Sequence, residues 1–329
     1  MSGANDRAAP SIAVIIVNFN AGAMLERCLA ALDRQTYRDF RVIVVDNAST
    51  DGSADGIAAR HPGVVLVPAG VNLGFAAGNN LGLRHAGDAD WILLLNPDAY
   101  AAPDCLERLV AAAAAGGFDF FGCRMRLADI PELLDGTGDV YHTSGVAWRR
   151  DHGLRADAGA QEPGEIFAPC AAAALYRCAD LEAVGGFDES YFCYFEDIDL
   201  AFRLRLRGLR CGYVPDAVVD HVSSGITGKR SDFATYHGHR NMVWTYVKDM
   251  PAALFWLYLP LHLCANLLAI AACAARGQFR VVLRAKRDAL LGLPRVLRER
   301  ARVQAGARAG WRAIRAAMAR GLPALWSRS

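Results

Sequence analysis

Residues 12–20 of this 329-residue chain read IAVIIVNFN. The segment Ile12–Val17 is a short apolar run rich in β-branched residues, which is typical of a strand buried on both faces of a sheet. Helical spacing of apolar residues follows over Met24–Leu32, and Phe40–Val45 (FRVIVV) predicts a second strand. The chain therefore begins with a strand–helix–strand unit.

The same alternation continues along the next part of the chain. It predicts a short helix at Asp51–Arg60, a strand at Val64–Val67, a helix at Asn72–His85 and a strand at Trp91–Leu95. Strands that alternate with helices predict an α/β fold with a mostly parallel, doubly wound sheet flanked by helices. In such sheets, ligands bind beyond the carboxyl ends of the strands.

Glycines punctuate residues 72–82, NLGFAAGNNLG, and suggest a phosphate-binding loop. The segment follows the third predicted strand, however, and it lacks the Lys-Ser/Thr pair of a P-loop. The GxGxxG signature of a dinucleotide-binding fold is missing after the first strand, where VNFNAGAML stands, so a dehydrogenase is excluded. We expect Gly74 to permit a tight turn into a helix and Gly78 to permit close packing of that helix.

The middle of the chain is less regular. Asp135–Gly164 is rich in Gly, Asp and Arg and is predicted to form a loop. Glu196–Gly208 has apolar positions at helical spacing and a glycine at its end, which predicts a helix. Two short strands are expected after it, at Cys211–Val214 and Ala217–Asp220.

The net charge of +2 conceals an asymmetry along the chain. From Arg276 onward there are 14 Lys/Arg residues and 2 Asp/Glu, which leaves 22 Lys/Arg against 32 Asp/Glu upstream. An acidic body argues against nucleic acid as a partner, and a basic tail suggests binding to anionic lipid.

The cysteine content and the first residues bear on the cellular compartment. Nine cysteines without a CxxC pair argue against a zinc site or a disulfide framework and favour a reducing cytosolic setting. The opening MSGANDRAAP contains no apolar segment, so no signal peptide is predicted. We therefore expect the body of the protein to stay in the cytoplasm.

Residues 252–275, AALFWLYLPLHLCANLLAIAACAA, carry no formal charge over 24 residues, which is long enough to span a bilayer. Pro260, His262 and Asn266 weaken a simple span, so a kinked re-entrant or interfacial helix and a buried helical hairpin are alternatives. Further on, one helix face is apolar and its neighbour is basic: Trp311, Ile314 and Met318, then Arg308, Arg312 and Arg315. This pattern favours a helix lying on an anionic membrane, the alternative being a basic helix packed on its own domain.

Acidic clusters lie at or just beyond the ends of predicted elements. Asp46 follows FRVIVV, where it could accept hydrogen bonds from a ribose or base, or else cap the next helix. Asp98, in LLLNPDAY, could hold a divalent ion that bridges a diphosphate, or else end its strand in an Asn-Pro-Asp turn. In AVVDHVSSG, the imidazole of His221 could bind the same ion, although a lone histidine after a strand is more often structural.

The remaining cluster, Glu196-Asp197 with Asp199, follows the aromatic run SYFCYF. Burial beside aromatic side chains makes a charged carboxylate costly unless it is paired or functional. A helix N-terminus offsets part of that cost, so helix capping is the alternative. One carboxylate with a raised pKa would serve as a general base toward a sugar hydroxyl, whereas Asp199 is expected to be structural.

Taken in order, these motifs resemble those of glycosyltransferase family 2, and most of all its rhamnosyltransferase-like branch. The motifs cover about residues 12–247 and read VIIVNFN, VVDNASTDGS, NLGFAAGNN, LLLNPD, GGFDESYFCYFEDIDLAFRLRLRG and YVPDAVVDHVSSG. The resemblance implies a GT-A fold with a Rossmann-like sheet and an inverting mechanism. It also implies a divalent cation, Mg²⁺ or Mn²⁺, bound to the diphosphate of a nucleotide-sugar donor.

The resemblance further implies roles for individual residues. Asp197 would be the catalytic base and Glu196 would orient the acceptor, while Asp98 and His221 would hold the metal. The nucleotide-sugar site would be formed by Asn18, Asn20, Asp46, Asn72, Gly74, Asn79 and Asn96. Because Asn96 stands where the family motif Asp-x-Asp has its first carboxylate, Asp98 and His221 must do more of the metal binding. One departure is CAAAALYRC, in which Cys178 replaces the second of two basic residues and puts the details of acceptor binding in doubt.

The predicted activity is inverting transfer of rhamnose from dTDP-rhamnose to a hydroxyl of a lipid-linked saccharide, in cell-surface polysaccharide assembly. The alternatives are transfer of galactose or N-acetylglucosamine from a UDP-linked donor, and an inactive relative that binds a nucleotide-sugar or glycan without turnover. We expect a catalytic domain over residues 1–247. Residues 248–329 would form a helical apolar and basic region that attaches it to the cytoplasmic face of the cell membrane.

Overall fold

The computed structural model describes residues 9–223 and 231–321, so that Ser224 and Gly225, which end the motif DHVSSG, lie outside the described residues. The strands are β1 (Ile12–Asn18), β2 (Phe40–Asp46), β3 (Val64–Pro68), β4 (Trp91–Leu95), β5 (Ala99–Ala101), β6 (Phe120–Leu127), β7 (Ile130–Gly136), β8 (Asp139–Tyr141), β9 (Ala147–Arg149), β10 (Gly164–Ile166), β11 (Ala173–Arg177) and β12 (Cys211–His221). The helices are α1 (Ala23–Asp33), α2 (Ile57–Arg60), α3 (Gly74–Leu83), α4 (Cys105–Ala115), α5 (Cys178–Ala183), α6 (Glu196–Leu206), α7 (Asp232–Asp249), α8 (Ala252–Ala275), α9 (Phe279–Leu291), α10 (Leu293–Ala305) and α11 (Trp311–Ala317).

The main sheet has the strand order β10-β12-β6-β11-β4-β1-β2-β3, with β5 paired to β12 and β7 paired to β6. β4, β1, β2 and β3 run parallel, as the alternation of strands and helices predicts. β11 lies antiparallel between β4 and β6, and β12 runs parallel to β6. The mostly parallel α/β sheet is therefore confirmed, and its carboxyl ends share one edge.

The glycine-rich segment forms α3, which packs closely on β1. A Cβ added at Gly78 would lie 2.8 Å from Val17, and one at Gly82 would lie 2.4 Å from Ile15. Gly74 has a φ of +79° at the start of the helix, a conformation that favours glycine. The expected turn at Gly74 and the close packing at Gly78 are both present.

Residues 135–164 contain more regular structure than a loop, so that prediction was wrong. They include the end of β7 and the antiparallel hairpin of β8 and β9. Polar pairs hold this region, because Arg149 forms a salt bridge with the fully buried Asp135. A search for apolar alternation misses strands that are held in this way. The two strands predicted after α6 are one strand, β12, with irregular pairing between Val214 and Val218.

The last helix packs on its own domain, which was the alternative to a membrane-bound helix. Ile314 and Met318 are buried and belong to the same apolar core as Tyr141 and Phe202. Trp311 remains partly exposed. The helix is amphipathic, as the sequence predicts, but its apolar side contacts protein.

Candidate active site

A cavity of about 520 Å³ opens at the carboxyl ends of the central strands. The segment after β4 contributes residues 96–98, and β12 ends in the cavity wall at His221. Residues 192–197 and 170–172 form further parts of the wall. Asp98, Glu196 and Asp197 thus line a single cavity at the sheet edge where an α/β fold binds ligands.

The turn that leads into α6 has a strained backbone. Phe192, Tyr194 and Phe195 have φ values of 64°, 66° and 68°, a region that costs a non-glycine residue about 1–2 kcal/mol. The carbonyl of Phe192 accepts hydrogen bonds from the backbone N–H groups of Phe75, at 2.6 Å, and Ala76, at 3.2 Å. These bonds at the start of α3 hold the turn that places Glu196 and Asp197 in the cavity wall.

Gly74 makes this contact between α3 and the turn possible. A Cβ at this position would lie 2.6 Å from the carbonyl oxygen of Phe192 and from an atom of its ring. Any larger residue would therefore push the turn away from α3. The glycine acts on the site by allowing two backbone segments to approach each other.

Asp197 and Glu196 lie in different hydrogen-bonding environments. The Asp197 carboxylate accepts hydrogen bonds from the N–H of Ile198, at 2.8 Å, and from that of Ala171, at 3.4 Å. Burial raises the pKa of Asp197, and these two N–H groups and Arg149 oppose the rise. Burial and then the charge of Asp197 raise the pKa of Glu196 well above its usual range, and its Oε2 has no hydrogen-bond partner. We therefore assign the negative charge of the pair to Asp197.

A second carboxylate, Asp139 on β8, lies beside Asp197. Three side-chain atoms that could bind a metal lie within 4.8 Å of one another, one each from Asp139, Cys170 and Asp197. Nη2 of Arg149 lies 3.0 Å from Sγ of Cys170, and this guanidinium makes the group a poor site for a cation. Burial, and then the charge of Asp197, raise the pKa of Asp139 to about 8, so Asp139 carries a proton at neutral pH.

Replacing Asp139 with asparagine is expected to stabilise the protein in mildly alkaline buffer. Folding raises the pKa of Asp139 from 3.8 to about 8. The contribution of this group to the free energy of unfolding is therefore fully present below about pH 4 and is lost as the pH rises toward 8. The carboxamide has no acidic proton to lose in this range, and the melting temperature of Asp139→Asn at pH 8 should exceed that of wild type by at least about 4 °C. Thermal unfolding at several pH values measures the difference, which should shrink toward about pH 5.

Asp157→Asn is the matched control for this experiment, because its carboxylate is exposed. It should melt like wild type at every pH, apart from the small loss of a surface ion pair. Identical curves for Asp139→Asn and wild type at pH 8 would show that folding does not raise the pKa of Asp139.

His221 lies between two buried carboxylates. Its Nδ1 lies 2.8 Å from Oδ2 of Asp135, and its Nε2 lies 3.3 Å from Oδ1 of Asp98. Nε2 of His221 and Oδ1 of Asp98 are both buried without a well-formed hydrogen bond. A histidine that binds a metal through one nitrogen normally donates the other N–H to a carboxylate or carbonyl. The arrangement of Asp98, His221 and Asp135 fits that pattern.

The other predicted residues divide into three groups. Asn72, Gly74 and Asn96 line the cavity. Asn18, Asn20 and Asp46 brace the neighbouring loop instead, through hydrogen bonds to Ser49, Thr50 and Ser53. Asn79 is buried and donates to the carbonyl of Phe75 within α3, so the structure places it away from the cavity wall.

Sequence reasoning missed four residues at the site. Asn47, next to Asp46 in the motif VVDNAS, lines the cavity. Its side-chain amide donates a hydrogen bond to the side-chain oxygen of Asn72 at 3.0 Å. Asp135, Asp139 and Arg149 lie in the segment predicted as a loop. The density of Asp and Arg there was the available signal, since charged residues that cluster without a run of one sign often pair with each other.

Comparison with known proteins agrees with this geometry. A family model described as "Glycosyl transferase family 2" matches residues 13–185. The N-acetylglucosaminyl-diphospho-decaprenol L-rhamnosyltransferase of Mycobacterium tuberculosis is 34% identical over 255 residues, which are 68% of this chain and 80% of that protein. The rhamnosyltransferase WbbL of Escherichia coli is 28% identical over 218 residues, which are 61% of this chain and 80% of that protein.

A solved structure extends the likeness to the fold. A mannosyltransferase from Pyrobaculum calidifontis, in complex with GDP-Man and Mn²⁺, has a TM-score of 0.56 and 22% identity. The match covers 98% of this chain and 89% of that one. At this identity the likeness concerns the fold, which is of the GT-A type.

Proposed function

This chain belongs to glycosyltransferase family 2, and we propose that its cavity binds a nucleotide-diphosphate sugar whose sugar it transfers with inversion. The observation that carries the proposal is the pair Glu196 and Asp197. A strained turn places both in the cavity wall, and we assign the negative charge of the pair to Asp197 because burial raises the pKa of Glu196 more strongly. A buried carboxylate with a raised pKa that can still be ionised is suited to remove a proton from a hydroxyl.

The proposed reaction is a direct displacement at the anomeric carbon. Asp197 takes the proton of the acceptor hydroxyl as that oxygen attacks from the face opposite the diphosphate. The new carbon–oxygen bond forms as the bond to the phosphate oxygen breaks, and the nucleoside diphosphate leaves with the electron pair. Burial favours the protonated form of Glu196, which can donate its O–H to an oxygen of the acceptor and so orient the acceptor beside the base.

Asp98 and His221 are the residues that would hold a divalent cation. Their facing atoms are 3.3 Å apart, close to the separation of about 3 Å between neighbouring ligands of one ion. Asp135 would fix the His221 ring with Nε2 toward the cavity. When bound, such a cation neutralises charge that develops on the leaving diphosphate.

We further propose rhamnose as the sugar and a lipid-linked saccharide as the acceptor. Two relatives are named rhamnosyltransferases, and the name of the first describes a sugar joined through a diphosphate to decaprenol. An enzyme with a lipid-linked acceptor must work at a membrane surface, here the cytoplasmic face. Galactose and N-acetylglucosamine donors, and binding without turnover, are the alternatives that experiment must separate.

Nucleotide binding can be tested by thermal shift with dTDP, UDP and GDP, each with and without Mg²⁺ or Mn²⁺. Ligands that bind only the folded protein stabilise it by about 2.7 kcal/mol at a concentration 100-fold above Kd. We expect dTDP to raise the melting temperature when metal is present. When EDTA removes the metal, dTDP should have little effect. The absence of a shift with every nucleoside diphosphate would contradict the proposed donor site.

The sugar is tested separately, by incubating the enzyme with each nucleotide-sugar and a lipid-linked N-acetylglucosamine acceptor. Mass spectrometry of the lipid product should show the mass of an added deoxyhexose from dTDP-rhamnose. The mass of an added hexose or N-acetylhexosamine would indicate another donor. Nucleotide binding without any product would favour the inactive relative.

A further inference from the structure

One helix in the described part of the chain, α8, is long and apolar enough to cross a membrane, with a mean hydropathy of 1.8. Most of its surface contacts no protein. Trp256 is 70% exposed and Leu267 is 68% exposed, and Leu257, Leu261, Leu263 and Leu268 are exposed as well. Helix α9 adds Phe279, Leu283, Leu290 and Leu291, all of them exposed. An apolar surface of this kind marks a site of interaction with a membrane or a partner.

A narrow stripe of α8 is nevertheless fixed along its whole length to the part of the described chain that precedes it, residues 9–223 and 231–249, which we call the catalytic body. Leu254 near the start is fully buried. In the middle, the His262 ring stacks on Tyr246 at 3.9 Å, and its Nδ1 lies 2.7 Å from the carbonyl oxygen of Ser144. Near the end, Sγ of Cys273 lies 3.3 Å from Nε2 of His239. The helix therefore lies along the body rather than projecting from it.

The chain after α8 also returns to the body. On α9, Val282, Ala285 and Ala289 are buried, and Ala289 accepts a hydrogen bond from Trp244 of α7. On α10, Arg300 donates to the carbonyls of Val247 and Met250, at 2.7 Å each.

The end of the described chain pairs with the hairpin of β8 and β9. The N–H of Ala319 donates to the carbonyl of Tyr141 on β8, and the N–H of Thr143 donates to the carbonyl of Ala319. Ile314 and Met318 lie in the core of the catalytic body. Both ends of α8 thus belong to one packed unit.

From these contacts we infer that α8 does not cross the membrane but lies in the surface of an anionic bilayer. If α8 crossed the bilayer, α9 to α11 would be on the opposite side from the body, and their buried contacts would be lost. In the bilayer surface, the exposed leucines of α8 and α9 can enter the acyl region while the packed stripe stays on the protein. We call these exposed apolar residues of α8 and α9 the lipid surface.

The charge beside the lipid surface favours an anionic bilayer over a second copy of the chain. Arg280, Arg284 and Arg287 lie next to its apolar stripe on α9 at helical spacing, and Arg284 and Arg287 are well exposed. A two-fold dimer through this surface would bring arginines of both copies together, which is unfavourable. Each basic residue near an anionic membrane instead contributes about 1 kcal/mol.

This placement also brings the cavity close to lipid. Phe192 and Phe233 line the cavity, and Phe192 stacks on His237 of α7. One residue earlier on α7, the Tyr236 hydroxyl donates to Asp288 of α9.

The inference itself does not require the proposed transferase reaction, because it rests on packing and charge alone.

The lipid surface is tested by vesicle flotation of the full-length protein without substrates. Wild type should float with vesicles of phosphatidylcholine and phosphatidylglycerol, and less with phosphatidylcholine alone. The double variant Leu263→Glu/Leu267→Glu should lose at least about tenfold in bound fraction. The matched control is Val65→Glu/Ile130→Glu, which adds the same charges at exposed apolar residues of β3 and β7 and should float like wild type.

The orientation of α8 is tested with tags at the two ends of the chain in inverted membrane vesicles from expressing cells. Protease added outside should remove both tags, and alkaline carbonate should release the protein. Protection of the C-terminal tag would show that α8 crosses the bilayer and would overturn the inference. Unchanged flotation of the leucine variant would also overturn the inference. So would a wild-type protein that does not bind vesicles but forms a dimer, if the leucine variant dissociates that dimer.

Discussion

Asp197→Asn is expected to lower the rate of sugar transfer by about 10²–10⁴-fold, the usual contribution of a general base. The asparagine amide has nearly the same shape, and its single oxygen can keep the shorter of the two hydrogen bonds, the one from the N–H of Ile198 at 2.8 Å. It cannot accept the proton of the acceptor hydroxyl. Nucleotide binding measured by thermal shift should stay near that of wild type, because Asp197 is not proposed to hold the diphosphate.

Glu196→Gln is the matched control, one residue away and in the same cavity wall. Burial raises the pKa of Glu196 well above its usual range and so favours its neutral form, and glutamine is a neutral side chain of nearly the same shape. We expect a loss in turnover of less than about tenfold, which would report on acceptor orientation. Full activity in Asp197→Asn together with a large loss in Glu196→Gln would exchange the roles of the two residues.

The acidic side of the pH–rate profile gives a second readout for the same residue. Burial raises the pKa of Asp197, and a base must be ionised to work, so activity should fall at a higher pH than for an exposed aspartate. Arg149 opposes the rise, so removing its charge in Arg149→Gln should move the acidic limb to still higher pH. An acidic limb that does not move would show that Asp197 is not the titrating group.

Asp98→Ala is the second change with a large expected effect, a loss of turnover of at least about 10²-fold. It removes the carboxylate whose Oδ1 faces Nε2 of His221, and with Asn96 in place of an acidic residue no second carboxylate lies in the motif to replace it. The metal-dependent part of the thermal shift with dTDP should disappear as well. This binding readout separates a lost metal site from a lost base.

Asp220→Asn is the control for this change because it lies next to His221 in sequence. Its carboxylate pairs with Arg126 at 2.7 Å, is partly exposed and does not line the cavity. Turnover and metal dependence should be close to those of wild type. An Asp98→Ala enzyme that keeps its metal-dependent shift would show that the cation binds elsewhere.

Local patterns were sufficient to select Glu196, Asp197, Asp98 and His221, which the structure places in the wall of one cavity, while their catalytic and metal-binding roles stay predictions. Glu196-Asp197 stands at the start of a helix after an aromatic run, and Asp98 and His221 each stand at the end of a strand. Strand ends meet at one edge of a parallel sheet, so residues far apart in sequence converge there. Asn79 shows the limit of motif reasoning, because the rotation of α3 turned its side chain into the helix.

The residues that the sequence did not reveal depend on contacts across the fold. Asp135 and Arg149 lie in a segment without apolar alternation, and a buried salt bridge between them holds it. Asp139 comes next to Asp197 only when β8 is placed beside the start of α6. Pairing between distant polar residues leaves no periodic trace, so local spacing cannot predict it.

The order of strands and helices over about the first hundred residues, the mostly parallel sheet and the sheet edge that carries the site were determined by the sequence alone, because periodicity and strand ends are local properties. The protonation of Glu196, Asp197 and Asp139 was decided by tertiary structure, since burial and neighbouring charges set a pKa. The same is true of α8. Its composition suits a spanning helix, and only the return of α9 to α11 to the catalytic body shows that both of its ends lie on one side.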